Sequence, residues 1–364
     1  MEVAVIGAGL AGLTTAFELK QQGIGCEVIE KSRTVGGRMN SRRVADCVID
    51  DGAQYFTVKS PEFAAFLRQI GLADRLHRLA APVVAYPFSY LDEALAAALE
   101  DEARMANSGL EYPFRYSFAE GMDALPTALA EQLDPEHLNL QTYAEGIRWN
   151  VDQQVWDLHT RGDNTTLGGQ VSARSVVISL PAPQAAQLLK RSFPLPAPLA
   201  ELAEALDQVT YYPCLTVLLR MIRDYQLQSI GGLRAEDYAH PIGWMAWIER
   251  LVPGRMPESE TGLVIQLTPN VSERAMELPD DQILSATIGS LEQEFGMSLP
   301  TVRWIHIKRW RYANPTGVTL DPALREAAEK LGIYLCGDYL ERGRIESAFW
   351  SGRKLARRIV EMTR

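Results

Sequence analysis

The stretch from Val3 to Glu30 reads VAVIGAGLAGLTTAFELKQQGIGCEVIE and contains two apolar runs separated by a glycine-rich segment and a helix-favouring segment. A short run rich in β-branched residues, 3–6, predicts a buried strand, and the glycine-rich segment 7–12 follows it at once. Helix-favouring residues run from Leu13 to Gln22 and stop at Gly23, before a second apolar run. Strand, glycine turn, helix and strand within about 30 residues predict a βαβ unit with parallel strands.

The spacing of the three glycines predicts a dinucleotide site. Gly7 permits the tight turn, Gly9 lets a pyrophosphate approach the backbone, and Gly12 lets helix and strand pack closely. The helix N-terminus offers free N–H groups and the positive end of its dipole to the phosphates. Glu30 can accept hydrogen bonds from both ribose hydroxyls and would repel a 2′-phosphate, which a turn that merely joins strand to helix does not explain. The predicted contacts here are Gly7, Gly9, Leu10, Ala11, Gly12, Glu30 and Lys31.

Composition excludes several classes of function. The 364 residues suggest one large or two medium domains, and the formal net charge of −10 argues against nucleic acid as a partner. The sequence has no apolar run of about 18 residues and no basic segment before its apolar start, so we expect neither a membrane span nor a signal peptide. The four dispersed cysteines and five scattered histidines predict reduced thiols, a cytoplasmic location and no metal.

A second glycine pair follows Glu30, in the sequence Gly36-Gly37-Arg38-Met39. An NAD site does not require this segment. It resembles the motif of the FAD-containing amine oxidase and phytoene desaturase superfamily, in which the glycines and the arginine approach the FAD pyrophosphate. The resemblance therefore implies FAD as the cofactor, with Gly37, Arg38 and Met39 among its contacts.

The segment 50–57, DDGAQYFT, resembles more specifically the renalase group of that superfamily. The resemblance implies that a strand carrying this sequence runs under the isoalloxazine ring. It assigns Gln54, Tyr55 and Phe56 to the cofactor site.

The resemblance also implies that the chain returns to FAD near its C-terminus. A predicted strand, 332–338, ends in Gly337-Asp338, where Asp338 would hold the ribityl hydroxyls or a pyrophosphate-bound water. The family places the N-terminus of the last helix at the flavin O2 edge and a backbone group of the middle segment at the adenine. These implied contacts are Ile345, Glu346, Ala348 and Ile147. Cys336 lies inside the strand, away from the cysteine that holds flavin covalently in many monoamine oxidases, so we expect non-covalent FAD.

The predicted fold class is α/β. We expect a Rossmann-like FAD-binding domain of the amine-oxidase type and a second, α+β substrate domain built on a mixed sheet. The FAD-binding domain would be discontinuous, with residues 1–58, 115–190 and 324–364. The substrate domain would take residues 59–114 and 191–323, and the proline-rich segment Phe193–Pro198 would link the domains.

Aromatic residues are frequent in the predicted substrate domain, and a flat aromatic wall would suit a cyclic or aromatic substrate. The wall would be drawn from Trp244, Trp247, Trp304, Trp310 and Tyr312. The pocket candidates are Tyr55, Trp244, Trp310 and Tyr312, although each could equally be a core residue. Lys308 could correspond to the lysine near flavin N5 in amine oxidases.

The sequence shows no hydrolytic or metal-dependent constellation, so we expect an FAD-dependent oxidase acting on a small molecule. The flavin N5 would take a hydride from a C–H bond next to nitrogen, and O2 would reoxidise the flavin to give H2O2. The renalase resemblance implies isomeric dihydro-NAD(P) as the substrate. Two alternatives stay open: an oxidase of small primary or secondary amines, and a flavin-binding protein without turnover.

Overall fold

The computed structural model describes residues 2–162, 169–223, 230–317, 320–341 and 343–363. The chain divides into two compact units. Unit 1 comprises Met1–Met39, Leu125–Tyr211 and Asn314–Arg364, and unit 2 comprises Asn40–Ala124 and Tyr212–Ala313.

The strands, in chain order, are β1 Val3–Ile6, β2 Cys26–Ile29, β3 Ser41–Val44, β4 Cys47–Asp50, β5 Phe56–Thr57, β6 Leu76–Arg78, β7 Val83–Tyr86, β8 Arg115–Phe118, β9 Leu138–Asn139, β10 Thr142–Asn150, β11 Val155–Gly162, β12 Gln170–Ala173, β13 Ser175–Ile178, β14 Tyr211–Ile222, β15 Gly232–Ala235, β16 Ile242–Trp247, β17 Glu260–Leu267, β18 Val302–Pro315 and β19 Ile333–Leu335. The α-helices are α1 Leu10–Gln21, α2 Pro61–Gln69, α3 Leu91–Ala106, α4 Ala124–Ala130, α5 Ala182–Arg191, α6 Ala197–Asp207, α7 Ile248–Leu251, α8 Pro269–Ala275, α9 Asp280–Phe295, α10 Pro322–Glu329 and α11 Ile345–Thr363.

Unit 1 is built on a parallel sheet in the order β19-β13-β1-β2-β9. In the central strand β1, Val3 pairs with Ser175 on one side and Cys26 on the other. All four residues of β1 are buried, as expected for a parallel strand covered on both faces. The strand–helix–strand order predicted from Val3 to Glu30 is therefore confirmed.

Helix α1 is almost wholly buried in unit 1, and a glycine on α11 makes this possible. A Cβ at Gly352 would lie 2.3 Å from the carbonyl oxygen of Ala11, so only glycine allows this approach of the two helices. Thr15, inside α1, donates its hydroxyl to the Gly352 carbonyl oxygen at 3.2 Å. The last helix is thus packed against the helix that opens the chain.

The proline-rich segment 193–198 does not separate the two units. It joins α5 to α6 inside unit 1, where Leu189 and Leu202 share one core with Ile333 of β19. The predicted domain bounds differ from the compact units accordingly. Residues 191–211 and 314–323 belong to unit 1, whereas residues 40–58 and 115–124 belong to unit 2. Proline turns punctuate helices within a domain as readily as they join domains, which explains why composition alone misplaced the boundary.

Unit 2 contains a six-stranded sheet in the order β18-β14-β17-β16-β15-β7. The pairing of β15 with β7 is parallel, while β17 pairs antiparallel with β14 and β16, so the sheet is mixed as predicted. One face packs its apolar residues with α3, α8 and α9, and this face includes Trp247. Trp244, three residues earlier on the same strand, points to the other face. The predicted single wall containing both tryptophans is therefore wrong.

A buried ion pair fixes the β3–β4 hairpin within unit 2. Arg255, which is 4% exposed, donates Nη1–H to the Asp50 carboxylate at 2.5 Å and Nη2–H to the Ser117 hydroxyl at 2.9 Å. The other oxygen of Asp50 accepts the Ser41 hydroxyl at 2.6 Å and the Met122 N–H at 2.9 Å. Arg255 thus neutralises the buried charge of Asp50, and both carboxylate oxygens of Asp50 accept hydrogen bonds.

We predict that Arg255→Met destabilises the protein by about 3–5 kcal/mol, because it leaves the Asp50 carboxylate buried without its counter-charge. Urea unfolding would measure the change. The matched control is Arg75→Met, which removes an ion pair with Glu120 that is exposed on both sides and should cost less than about 1 kcal/mol. Equal losses in the two variants would contradict this account of the hairpin.

Candidate functional site

The turn between β1 and α1 is shaped by three glycines with different surroundings. Gly7 has a φ of +105°, and a Cβ there would lie 2.6 Å from the Ser179 carbonyl oxygen. A Cβ at Gly12 would lie 2.2 Å from the Gly7 carbonyl oxygen. A Cβ at Gly9 would meet no atom of the chain within 4 Å. Gly7 and Gly12 are required by the fold itself, whereas the open space beside Gly9 at the N-terminus of α1 fits a phosphate group.

Glu30 is held in place where β2 ends. One carboxylate oxygen accepts the Ala8 N–H at 2.9 Å, and the other accepts the Ser32 N–H at 2.8 Å. Glu30 is only 9% exposed, so these contacts fix its orientation next to the glycine turn. The next residue, Lys31, is exposed.

The second glycine pair lies against the first. The Gly36 N–H donates to the Ala8 carbonyl oxygen at 2.8 Å, and Gly9 and Gly36 form an isolated parallel bridge. Gly36 and Gly37 have φ values of +109° and +56°, and Gly37 opens the short 3₁₀ turn that contains Arg38 and the buried Met39. The two glycine motifs, separate in sequence, thus form one backbone surface.

Arg38 and Asp338 join the two ends of the chain. The guanidinium donates to both carboxylate oxygens, Nη1 to Oδ2 at 2.8 Å and Nη2 to Oδ1 at 2.6 Å. Burial by itself lowers the pKa of Arg38, but the charge and hydrogen bonds of Asp338 outweigh it, so the net pKa lies above its ordinary value. The family resemblance implied that Asp338 binds the ribityl hydroxyls or a pyrophosphate-bound water. In this structure, both of its carboxylate oxygens accept hydrogen bonds from Arg38.

The remaining unit 1 residues of the predicted site lie within β10, just after β19 and in the first turn of α11. Gly337 has a φ of +155°, and its N–H donates to the Ser351 hydroxyl of α11 at 2.9 Å. The first turn of α11 carries Ile345, Glu346 and Ala348. The Ile147 N–H donates to the Ser192 hydroxyl at 2.9 Å, so this donor is already engaged within the protein.

Burial makes the cysteine thiols of the chain poor nucleophiles. Desolvation raises the pKa of Cys336 to about 11, and its sulfur accepts the Thr15 hydroxyl at 3.7 Å. Burial likewise raises the pKa of Cys26 to about 12 and those of Cys47 and Cys214 to about 11. A thiol, unlike a thiolate, is a weak nucleophile, so these side chains are poorly suited to a covalent cofactor link.

In unit 2, the segment Asp51–Tyr55 is not the strand that the sequence predicted. Strand β4 ends at Asp50 and β5 begins at Phe56. Side chains, rather than a neighbouring strand, donate hydrogen bonds to the backbone carbonyl groups of this segment. Gln54 folds back, and its Nε2 donates to the Asp50 carbonyl oxygen at 2.8 Å and to the Gly52 carbonyl oxygen at 3.1 Å.

Three strands of the sheet contact this segment in turn. Trp310 of β18 donates its indole Nε1–H to the Asp51 carbonyl oxygen at 2.7 Å. Gln266 of β17 donates Nε2–H to the Gly52 carbonyl oxygen at 2.8 Å. The ring of Trp244, on β16, lies 5.5 Å from the ring of Tyr55, centroid to centroid. The structure thus brings three of the four predicted pocket aromatics to one segment.

The other predicted residues of unit 2 differ in how far their side chains are exposed. Phe56 is 4% exposed and stacks on Phe118 at 5.5 Å, so its side chain belongs to the core. Tyr312 is half-buried and lies two residues beyond Trp310 on β18, on the same face of the sheet. Trp244 is 7% exposed, and its Nε1 has no hydrogen-bond partner in the described part of the chain.

Lys308 lies over the ring of Trp310, with its Nζ 4.4 Å from the ring centroid. Among the described residues, no carboxylate lies within 4.0 Å of this half-buried ammonium group. Lys308 therefore carries a positive charge that Trp310 stabilises by a cation–π contact rather than an ion pair.

Sequence reasoning missed the residues that hold the predicted ones in place. Gln266, Ser192 and Ser351 each bond a site segment from a distant part of the sequence. No motif marks them, because a single amide or hydroxyl inside an ordinary strand or helix has no distinctive spacing. Among the helices in the described residues, none could span a membrane.

Comparison with known proteins identifies relatives of both the N-terminal motif and the whole fold. The NAD(P)-binding Rossmann-like domain matches residues 5–70. The chain is 37% identical over 73 residues to protoporphyrinogen oxidase 2 of Arabidopsis thaliana, covering 20% of this chain and 14% of that protein. It is 26% identical over 196 residues to coproporphyrinogen III oxidase of Mycobacterium leprae, covering 48% and 41%. The chain thus spans less than half of these curated relatives.

Two solved structures share the fold over their full length. One is a putative protoporphyrinogen oxidase from Exiguobacterium sp. 255-15, with a TM-score of 0.75, 16% identity and coverage of 100% of this chain and 99% of that one. The other is cyclohexylamine oxidase from Brevibacterium oxydans IH-35A, with a TM-score of 0.69, 16% identity and the same coverage. The family of flavin containing amine oxidoreductases matches residues 78–360, well over half of the sequence. The chain belongs to the flavin-containing amine oxidoreductase family.

Proposed function

We propose that this protein is a renalase-like FAD-dependent oxidase. Its substrate would be a small nitrogen-containing molecule, namely an isomeric dihydro-NAD(P), with O2 as the electron acceptor and H2O2 as the product. Bound FAD would supply the two-electron acceptor, and the protein would supply binding, orientation and electrostatics.

The backbone surface of the two glycine motifs supports FAD as the cofactor. The open space beside Gly9 and the N-terminal dipole of α1 suit the pyrophosphate, and the oriented carboxylate of Glu30 suits a ribose. Arg38 can contribute positive charge to the phosphates while Asp338 holds it in one orientation. The weakly nucleophilic thiols support a dissociable cofactor.

The position of Lys308 is the observation that favours a dihydronicotinamide over an amine. Its ammonium group already covers a face of Trp310, so this ring is less available to enclose a substrate amine. The positive charge of Lys308 also suits a dinucleotide that carries negative phosphates. The half-exposed ring of Tyr55 would offer a flat surface to a nicotinamide ring.

Oxidation of a small amine is the second candidate. It is favoured by the membership of the flavin-containing amine oxidoreductase family and by the shared fold with cyclohexylamine oxidase. A flavin-binding protein without turnover is the candidate from another class. The three differ in what reduces the bound flavin.

Anaerobic stopped-flow absorbance separates these candidates. The flavin-loaded protein would be mixed with 6-dihydro-NAD, with ordinary NADH and with a panel of primary and secondary amines. We expect the oxidised flavin band to bleach rapidly with 6-dihydro-NAD alone and to return on admission of air. Bleaching by an amine alone would replace the proposal with amine oxidation, and no bleaching by any compound would favour a protein without turnover.

Alanine substitution at two glycines tests the cofactor site directly. Gly9→Ala should leave the urea midpoint near that of the wild type, because its Cβ meets no atom of the chain, but should weaken FAD binding by at least about tenfold because the methyl occupies phosphate space. Gly12→Ala is the matched control and should destabilise the fold by about 1–3 kcal/mol through overpacking. Unchanged FAD affinity in Gly9→Ala would show that no phosphate of FAD binds at this turn.

Neutralising Lys308 tests the basis of substrate choice. Lys308→Met should slow flavin reduction by 6-dihydro-NAD more than it slows reduction by amines, because the positive charge that suits the phosphates of the dinucleotide is lost. Lys330→Met, at an exposed helix end, controls for a change in overall charge. Identical rate ratios in the two variants would show that Lys308 does not influence selectivity.

A further inference from the structure

We propose that Trp310 and Gln266 are positioning residues that hold the segment Asp51–Tyr55 in the one conformation that bound flavin requires. The inference rests on the proposed function, in that this segment is a flavin contact. It adds two residues whose side chains act on the backbone of this segment.

The geometry of the two hydrogen bonds carries the inference. Trp310 and Gln266 donate to consecutive carbonyl oxygens, those of Asp51 and Gly52, at 2.7 and 2.8 Å. Their strands, β18 and β17, lie on either side of β14 in the sheet. Two donors from separate strands therefore fix two successive peptide groups, which sets the direction of the chain between them.

These side chains substitute for the missing backbone ladder. The segment lies between β4 and β5 and belongs to neither strand. Its buried carbonyl groups need donors, because an unpaired buried polar group is costly. The Trp310 indole supplies the donor for the Asp51 carbonyl oxygen, and the Gln266 amide joins that of Gln54 at the Gly52 carbonyl oxygen. Side chains thus satisfy these carbonyl groups without a neighbouring strand alongside.

The start of the segment is fixed independently of Trp310 and Gln266. The Asp51 carboxylate accepts Arg42 Nε–H at 2.8 Å and the Asn40 amide at 3.1 Å. Loss of the Trp310 or Gln266 bond should therefore loosen the segment locally without releasing the hairpin on which it begins. The effect of such a loss is separable from unfolding.

The middle of the segment has the features of a ligand-contacting surface. Asp51 and Gly52 are buried, whereas Ala53, Gln54 and Tyr55 are half-exposed. The neighbouring Trp244 keeps a buried indole N–H without a partner in the described residues. A short exposed stretch fixed at one end by side chains of a rigid sheet is the arrangement that preorganises a site.

The test compares three variants on the flavin-loaded enzyme and on the apoprotein. Trp310→Phe keeps the ring and removes the donor, Gln266→Leu removes the amide, and Trp304→Phe is the matched control. Trp304 lies on the same face of β18 and packs in a separate cluster, with no hydrogen bond to the described segment. The readouts are the absorbance band shape and reduction potential of the bound flavin, FAD affinity, and amide exchange of residues 51–57 measured by mass spectrometry.

We expect Trp310→Phe and Gln266→Leu to alter the flavin band and shift the potential in the same direction. We also expect faster amide exchange of the segment in both, with FAD affinity reduced about fivefold, as for the loss of one ordinary hydrogen bond. Trp304→Phe should leave all four readouts near wild type.

Wild-type spectra, potentials and exchange in both variants would overturn the inference, as would equal shifts in Trp304→Phe, because these would mean a general packing effect. The proposed function fails separately, if the wild-type flavin is not reduced by 6-dihydro-NAD while the spectroscopic shifts still occur. A wild-type protein that binds no flavin would overturn both.

Discussion

The close approach of Gly12 to the Gly7 carbonyl oxygen is the constraint on which unit 1 depends. A side chain at position 12 would push α1 away from the turn that follows β1, and with it the helix N-terminus that faces the open space beside Gly9. The same packing sets α1 against α11 through Gly352. The proposed phosphate site and the parallel core therefore depend on the same absent side chains.

The proposed cofactor site of unit 1 also contains two charged side chains whose orientation is fixed. Glu30 is fixed by two backbone N–H groups, and Arg38 is fixed by the carboxylate of Asp338. Neither side chain has to be ordered when a cofactor arrives, so the entropic cost of binding is reduced. In unit 2, side chains of the sheet likewise fix the irregular segment Asp51–Tyr55, which is not part of a backbone ladder.

The sequence predicted the elements whose signals are local. Strand β1, helix α1 and strand β2 follow from a glycine spacing and an apolar pattern within 28 residues, and the closing strand and helix follow from a similar short pattern. The Arg38–Asp338 pair joins residues 300 positions apart, and the Gln266–Gly52 bond joins residues 214 positions apart. Such contacts depend on tertiary packing, which also explains the three errors. The segment 51–55 is not a strand, residues 193–198 do not link the units, and Trp244 and Trp247 lie on opposite faces of the sheet.

We propose that this chain holds FAD without a covalent bond. Acid denaturation of the purified, flavin-loaded protein is the first test. After acid precipitation and centrifugation, the account predicts that all of the flavin remains in the supernatant, as FAD, in about equimolar amount to the protein. Flavin that sediments with the precipitated chain would contradict non-covalent binding. A protein that cannot be loaded with flavin would contradict the cofactor itself.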